Sequence, residues 1–199
     1  MTTVYFIRHA EADAYFRDQR TRPLTEKGLS DRNLVTKFLQ DKQIDVVLSS
    51  SYKRAVDTVI EFADNNGFKV ELIEDFRERG GDTGLAWGNG DIMSDTKLSD
   101  IKRQWSDFSY TYSDGECYAD VQERHIIALN GVLAQHKNKN IVIGTHGVSL
   151  SMIINYYDNT YGFEDFMDMV YITPWVVKMY FNEKNYISME KINLFTKNQ

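Results

Sequence analysis

Arg8 and His9 follow directly on the apolar run Val4 to Ile7. His146 follows a second such run, Ile141 to Ile143, after only Gly144 and Thr145. A third run, Ile44 to Leu48, leads into Ser49-Ser50-Ser51 and then Arg54. A short apolar run closed by polar residues has the pattern of a buried strand. In open α/β sheets, ligand chemistry sits beyond the carboxyl ends of such strands. Taken singly these residues say little: Arg8 and His9 could equally open an ordinary polar loop. Together they have a chemical logic. An imidazole can accept a phosphoryl group as nucleophile and hand it on, which splits one displacement into two. Phosphoryl oxygens stay charged through the transition state, so fixed cations around them lower the barrier. Arginine suits this because its planar fork reaches two oxygens and stays charged. A leaving alkoxide needs a proton, which a nearby carboxyl group can supply.

The elements that must position these groups alternate between strand and helix. Pro23-Leu24-Thr25-Glu26 opens a helix, with Thr25 as N-cap and an apolar stripe of Leu34, Val35, Phe38 and Leu39. Ala55, Val59, Phe62 and Ala63 mark the next helix, ended by Asn65-Asn66-Gly67. Ser51 is its expected N-cap, which puts Arg54 in the first turn. Helical side chains lean toward the N-terminus, so Arg54 is directed back to the preceding strand end, where free N–H groups already favour an anion. Lys69 to Ile73 gives a third strand. Glu74 to Asp82 then leads into Gly84, Gly88 and Gly90, a glycine-punctuated loop able to carry Glu78 over a site. A solvated acidic turn is the plain alternative. Leu98, Ile101 and Trp105 suggest a short helix, and the aromatic segment Trp105 to Tyr112 is either packing or cover for the site. Val121, His125, Ala128, Leu129 and Val132 share one helical stripe, which reads His125 as a packed structural histidine and leaves His136 solvated. Leu150, Ile153, Ile154 and Tyr157 form a helix after His146. Val176 to Phe181 and Tyr186 to Ile192 flank Asn182 to Asn185 as a hairpin.

Composition narrows the field. The 199 residues carry a formal net charge of −6, which argues against a nucleic-acid surface but leaves room for a small anion pocket. One cysteine, Cys117, allows no intrachain disulfide, so a reducing, cytoplasmic setting is expected. A signal peptide is not expected, because Arg8 interrupts the N-terminal run, and no apolar run approaches the roughly 18 residues of a membrane span.

With these motifs in order, the sequence resembles the histidine phosphatase superfamily, the phosphoglycerate-mutase-like proteins. Arg8-His9-Ala10-Glu11 is similar to the family's arginine-histidine-glycine-glutamate signature, and Pro23-Leu24-Thr25-Glu26-Lys27-Gly28 to its second motif. Ser49 to Ala55 resembles the third, with Arg54 as its arginine. Phe76-Arg77-Glu78 falls where the family has its acid, and Trp87-Gly88-Asn89-Gly90 resembles the turn that follows. Gly115-Glu116-Cys117 with Arg124 resembles the opening of the next helix, and Thr145-His146-Gly147 matches the second histidine. The resemblance runs from Val4 to the region of Leu150.

It implies a single domain over residues 1–199: a three-layer α/β/α fold with a mostly parallel central sheet and a C-terminal hairpin. It implies a phosphatase acting on a small phosphomonoester through phosphohistidine on His9. Arg8, Arg54, His146 and the N–H of Gly147 would hold the phosphoryl group. Glu78 would protonate the leaving oxygen and then act as base on water, with Glu116 the reserve candidate. No metal or organic cofactor is implied, and two histidines without an acidic or thiol partner at ligand spacing are a poor zinc site. The partner is a small phosphorylated substrate, not nucleic acid or membrane. Arg20 and Arg22, in the loop after the nucleophile, could grip a second anionic group or be ordinary surface charge. Ala10 departs from the usual glycine, Tyr15 from the mutases' common asparagine, and Cys117 from a common serine. Glycine after His146 speaks against the acid-phosphatase and phytase branch. The lack of a long insertion after Glu78 favours hydrolysis over mutase chemistry. A cofactor-dependent phosphoglycerate mutase and a non-catalytic phosphate-binding module remain the alternatives.

Overall fold

The computed structural model describes residues 1–80, 95–111 and 115–196. Its strands are β1 (Thr2–Arg8), β2 (Val46–Ser49), β3 (Val70–Leu72), β4 (Asn140–Thr145), β5 (Trp175–Asn182) and β6 (Asn185–Ile192). They form one sheet in the order β3-β2-β4-β1-β5-β6. The four strands from β3 to β1 run parallel, and β5 and β6 add an antiparallel hairpin beside β1. The expected mostly parallel sheet and closing hairpin are both present.

Strand side chains alternate between faces, so a strand buried on both sides needs apolar residues throughout. β1 shows this directly. Val4 and Phe6 join one core cluster, and Tyr5 and Ile7 join the other. Over the Tyr5 face lie α1 (Glu26–Leu39) and α2 (Lys53–Asn65), contributing Val35, Leu39, Val59 and Phe62. Over the Val4 face lie α3 (Asp95–Ser106), α4 (Tyr118–Gln135), α5 (Gly147–Tyr157) and α6 (Phe163–Val170), contributing Ile101, Leu129, Leu150, Ile153 and Phe166. Each such side chain, fully buried, contributes on the order of 1.5–3 kcal/mol. Among the described residues no helix is long and apolar enough to cross a membrane.

This arrangement puts the site at a topological switch point. β1 and β4 are adjacent and parallel, yet the helix after β1 lies on one face and the helix after β4 on the other. The crevice between their carboxyl ends is where open α/β sheets bind ligands.

Several local details differ from expectation. Thr25 is the N-cap of α1, its hydroxyl oxygen accepting the N–H of Gly28. Ser51, however, does not cap α2. The helix starts one residue later, with Tyr52 at the N-cap position and no side-chain cap. The Tyr52 N–H is taken by Ser50 Oγ at 3.2 Å, and the Ser51 hydroxyl is drawn away to Glu74. α6 is not foreseen from the sequence; its eight residues mix acidic and apolar side chains. Trp105 packs with Phe108, Tyr118, Tyr161 and Phe166, so this part of the aromatic segment is core, not cover. The turn Trp87–Gly90 and most of the glycine-punctuated loop lie outside the described residues.

Candidate active site

His9 and His146 leave the sheet side by side. Arg8 of β1 is in register with Thr145 of β4, and the His9 N–H bonds the Thr145 carbonyl at 3.0 Å. The next residue on each strand is therefore a histidine, and the two rings stand edge to face with centroids 5.4 Å apart.

His9 is half-buried, and its Nδ1 lies 2.7 Å from the carbonyl oxygen of Ala10. A carbonyl only accepts, so Nδ1 carries the proton and Nε2 presents a lone pair. Ala10 is itself fixed: its N–H donates to Thr58 Oγ1 at 3.0 Å, and the Thr58 hydroxyl donates to the Arg54 carbonyl at 2.7 Å. Burial holds the His9 imidazole well below its usual range, and the charges of Arg54 and Arg8 push the same way. His146 is lowered likewise, by burial first and then by Arg54. Both rings are neutral at physiological pH, the form a nucleophile needs.

Three arginines surround the pair. Arg54, in the first turn of α2, is buried, donates to the Gln19 carbonyl at 2.6 Å and lies over the Tyr52 ring. Arg8 is also buried, and its Nη atoms donate to the carbonyls of Met169, Val170 and Ile172 at the end of α6. Its Nε is buried without a partner among the described residues. Burial lowers both guanidinium groups to about 10, against the opposing pull of the Glu78 charge, so both remain cations at neutral pH. Gly147 lies flat against Arg8; a Cβ there would meet Nε and Nη2 at 3.4 Å.

Arg20 and Arg22 separate. Arg20 points outward and pairs with Glu74 at 2.5 Å. Arg22 is buried, its Nε donating to the Phe16 carbonyl at 3.2 Å, and its charge is felt at both His9 and Arg54. Of the two, only Arg22 is brought close enough for its charge to act on His9 and Arg54.

The two candidate acids also separate. Glu78 Oε1 accepts N–H groups of Arg79 and Ser149, and Oε2 accepts the N–H of Val148. Glu116 is enclosed by cations: Arg77 and Arg124 hold Oε1, and Arg124 and the Gly80 N–H hold Oε2. Burial alone would raise the Glu116 carboxyl, but the Arg124 and Gly80 hydrogen bonds prevail and lower it. That commits Glu116 to structure. Arg124 in turn binds the carbonyls of Asp75, Arg77 and Glu78, fixing the segment that presents Glu78. His125 is a core residue, donating from Nδ1 to the Val121 carbonyl.

Thr58, Ser149, Ser50 and the α6 carbonyls escaped the sequence reading. Thr58 had a faint signal, lying one helical turn beyond Arg54. Ser50 had one too, lying at the end of an apolar run and inside the third motif; Ser149 and the backbone carbonyls have none. Among the described residues, no group of three or more His, Cys, Asp and Glu side chains is arranged to hold a metal ion.

The profile of the histidine phosphatase superfamily (branch 1) matches residues 4–182, and the chain belongs to that family. It is 29% identical over 162 residues to a metal-independent phosphoserine phosphatase of Arabidopsis thaliana, covering 77% of this chain and 67% of that one. To phosphoserine phosphatase 1 of Hydrogenobacter thermophilus it is 26% identical over 158 residues, covering 75% and 73%. The fold is shared with a phosphoserine phosphatase mutant from Entamoeba histolytica solved with phosphoserine, at a TM-score of 0.73, 21% identity and 98% coverage of each chain.

Proposed function

We propose that this chain, acting as one domain, is a metal-independent phosphatase of small phosphomonoesters, with phosphoserine the first substrate to test. The observation that carries the reading is the His9–Ala10 hydrogen bond, which leaves Nε2 as a free nucleophile beside His146 and among Arg8, Arg22 and Arg54.

The reaction has two displacements. His9 Nε2 attacks phosphorus, the N–P bond forms and the P–O ester bond breaks. Glu78, as the acid, gives its proton to the leaving oxygen, releasing the alcohol. Water then attacks phosphorus, Glu78 takes back a proton, the N–P bond breaks and inorganic phosphate leaves. Arg8 Nε and Arg54 neutralise the equatorial oxygens through both steps, with His146 and the Gly147 N–H as uncharged donors. Arg22 supplies a cation for a second anionic group, which fits the carboxylate of phosphoserine. The phosphoserine phosphatases among its relatives support that choice. A single cysteine, and hence no intrachain disulfide, extends the reading to a reducing compartment such as the cytoplasm.

The test is turnover in EDTA on a panel of phosphoserine, p-nitrophenyl phosphate and 3-phosphoglycerate, the last with and without 2,3-bisphosphoglycerate. Phosphate release that His9→Ala abolishes is the expected result. Interconversion of phosphoglycerates faster than phosphate release would move the chain to the mutases. A folded protein silent on every ester would leave a phosphate-binding module.

A further inference from the structure

Ser50 sits fully buried at the end of β2, and its hydroxyl lies 2.8 Å from His146 Nε2. The contact is built into the backbone. Ser49 is in register with Gly144, the Ser50 N–H donates to the Gly144 carbonyl at 2.8 Å, and a Cβ on Gly144 would meet Ser49 Oγ at 2.6 Å. The glycine also leaves room beside this strand end for the Ser49 side chain and, at 3.0 Å from the same Cβ, the Ala55 carbonyl of α2.

A neutral imidazole has one proton and two nitrogens, and a hydroxyl can donate to it or accept from it. Hydrogen-bond accounting decides between these. Ser50 Oγ already accepts the N–H of Tyr52 at 3.2 Å. If it also accepted from His146, its own proton would be buried with no acceptor among the described residues, at the cost of an unmade hydrogen bond. Donating to Nε2 satisfies the hydroxyl in full. The imidazole proton then stands on Nδ1, which is buried and has no partner among the described residues. Since Ser50 occupies Nε2, Nδ1 is the only nitrogen His146 can offer to a ligand. Phosphoryl oxygens only accept, so a lone pair at Nδ1 would repel them and an N–H binds them.

We infer that Ser50 is a positioning residue: its hydroxyl donates to His146 Nε2 and so fixes the Nδ1–H tautomer that binds the phosphoryl group. This deepens the proposed function and rests on it for the identity of the ligand. The two histidines are set in opposite senses by their partners. A carbonyl makes His9 a nucleophile at Nε2, and a hydroxyl makes His146 a donor at Nδ1.

The experiment is long-range proton–nitrogen NMR on the uniformly ¹⁵N-labelled full chain, which distinguishes the two imidazole tautomers, with inorganic phosphate as the probe ligand. The expected wild-type spectrum has His146 protonated on Nδ1, with that proton shifting as phosphate is added. Ser50→Ala is expected to move His146 toward the Nε2–H form and to lower kcat on p-nitrophenyl phosphate by about tenfold or more, toward the roughly 10²- to 10³-fold that outright loss of one preorganised donor costs. A wild-type His146 protonated on Nε2 overturns the inference without any variant, so a Ser50→Ala chain that fails to fold does not shield it. A Ser50→Ala protein that keeps the Nδ1–H tautomer and the wild-type kcat overturns it as well. If the tautomers behave as expected but no ester is hydrolysed, the phosphatase reading fails while the Ser50 assignment stands.

Discussion

Glu78 and Ser149 meet twice: the backbone N–H and the hydroxyl oxygen of Ser149 both lie 3.1 Å from Glu78 Oε1. With the Val148 N–H on Oε2 at 3.2 Å, the carboxylate caps the first turn of α5, the helix that His146 opens. It satisfies N–H groups with no partner inside the helix and faces the positive end of the helix dipole. One element therefore positions both the candidate acid and the second histidine.

Glu78→Gln keeps the shape and removes the transferable proton. A p-nitrophenolate leaves without protonation, so the first displacement survives while the attack by water loses its base. The expected outcome is a burst of about one p-nitrophenol per site followed by turnover slowed about 10²- to 10⁴-fold. With phosphoserine, whose alkoxide needs the proton, no burst of serine is expected. Rapid-mixing kinetics on both esters checks this. Undiminished steady turnover of both would remove Glu78 from the reaction.

Arg22 and Arg20 make a paired prediction about specificity. The Nε of Arg22 is committed to Phe16, and no further partner for its Nη atoms is found among the described residues. Arg20 spends its charge on exposed Glu74, a surface pair that solvent screens. Arg22→Met is expected to raise KM for phosphoserine about tenfold or more, and for p-nitrophenyl phosphate only about two- to threefold, as loss of a ground-state contact to the carboxylate would. Arg20→Met leaves both within about twofold on the same reasoning. Equal effects of Arg22→Met on the two substrates would place this arginine on the phosphoryl group instead.

The parts of the site that the sequence revealed are those where strand ends coincide with chemistry. A buried parallel strand must be apolar throughout, so the switch at Arg8-His9 and at Thr145-His146 marks both an end and a site. That these ends are neighbours depends on β4 entering the sheet between β2 and β1, a long-range pairing with no local signature. The fate of Arg8 depends on carbonyls at the end of α6, a helix too short and too acidic to stand out. Ser51 was a sound cap by type, yet Glu74, distant in sequence, competes for its hydroxyl. The enclosure of Glu116 by Arg77 and Arg124 likewise has no local signature, since it depends on contacts between separate elements.

Gly28 tests how far the second motif is structural. A Cβ at Gly28 would lie 2.0 Å from the carbonyl oxygen of Glu11, a backbone atom that already accepts the N–H of Thr25. Neither side can yield without breaking the Thr25 cap or displacing the segment after His9. Gly28→Ala is therefore expected to destabilise by about 2 kcal/mol or more, at the upper end of overpacking costs. Urea midpoints compared with wild type measure it. An unchanged midpoint would mean that α1 and the post-nucleophile loop do not approach as closely as described.

The histidines predict how stability responds to acid. His125 is buried against Phe76, and burial, reinforced by the Arg124 charge, lowers it to about 3. In the unfolded chain it returns to the ordinary value near 6.5. Between those limits the unfolded state holds a proton that the folded state does not. Stability therefore falls as pH drops from about 6.5 toward 3, by up to about 1.4 kcal/mol per pH unit for each such group. His9 and His146 act in the same sense, since both are also lowered by burial. Removing His125 with His125→Leu takes away one titrating group, and its cost at pH 7 does not enter the slope. The expected result is a wild-type unfolding free energy that declines steeply between pH 6 and pH 5, and a decline shallower by about 1.2 kcal/mol over that unit in the variant. Urea titrations across that range measure both slopes. Equal slopes would mean that His125 takes up its proton in the folded protein as readily as in the unfolded chain, and that its site under Phe76 is open to water.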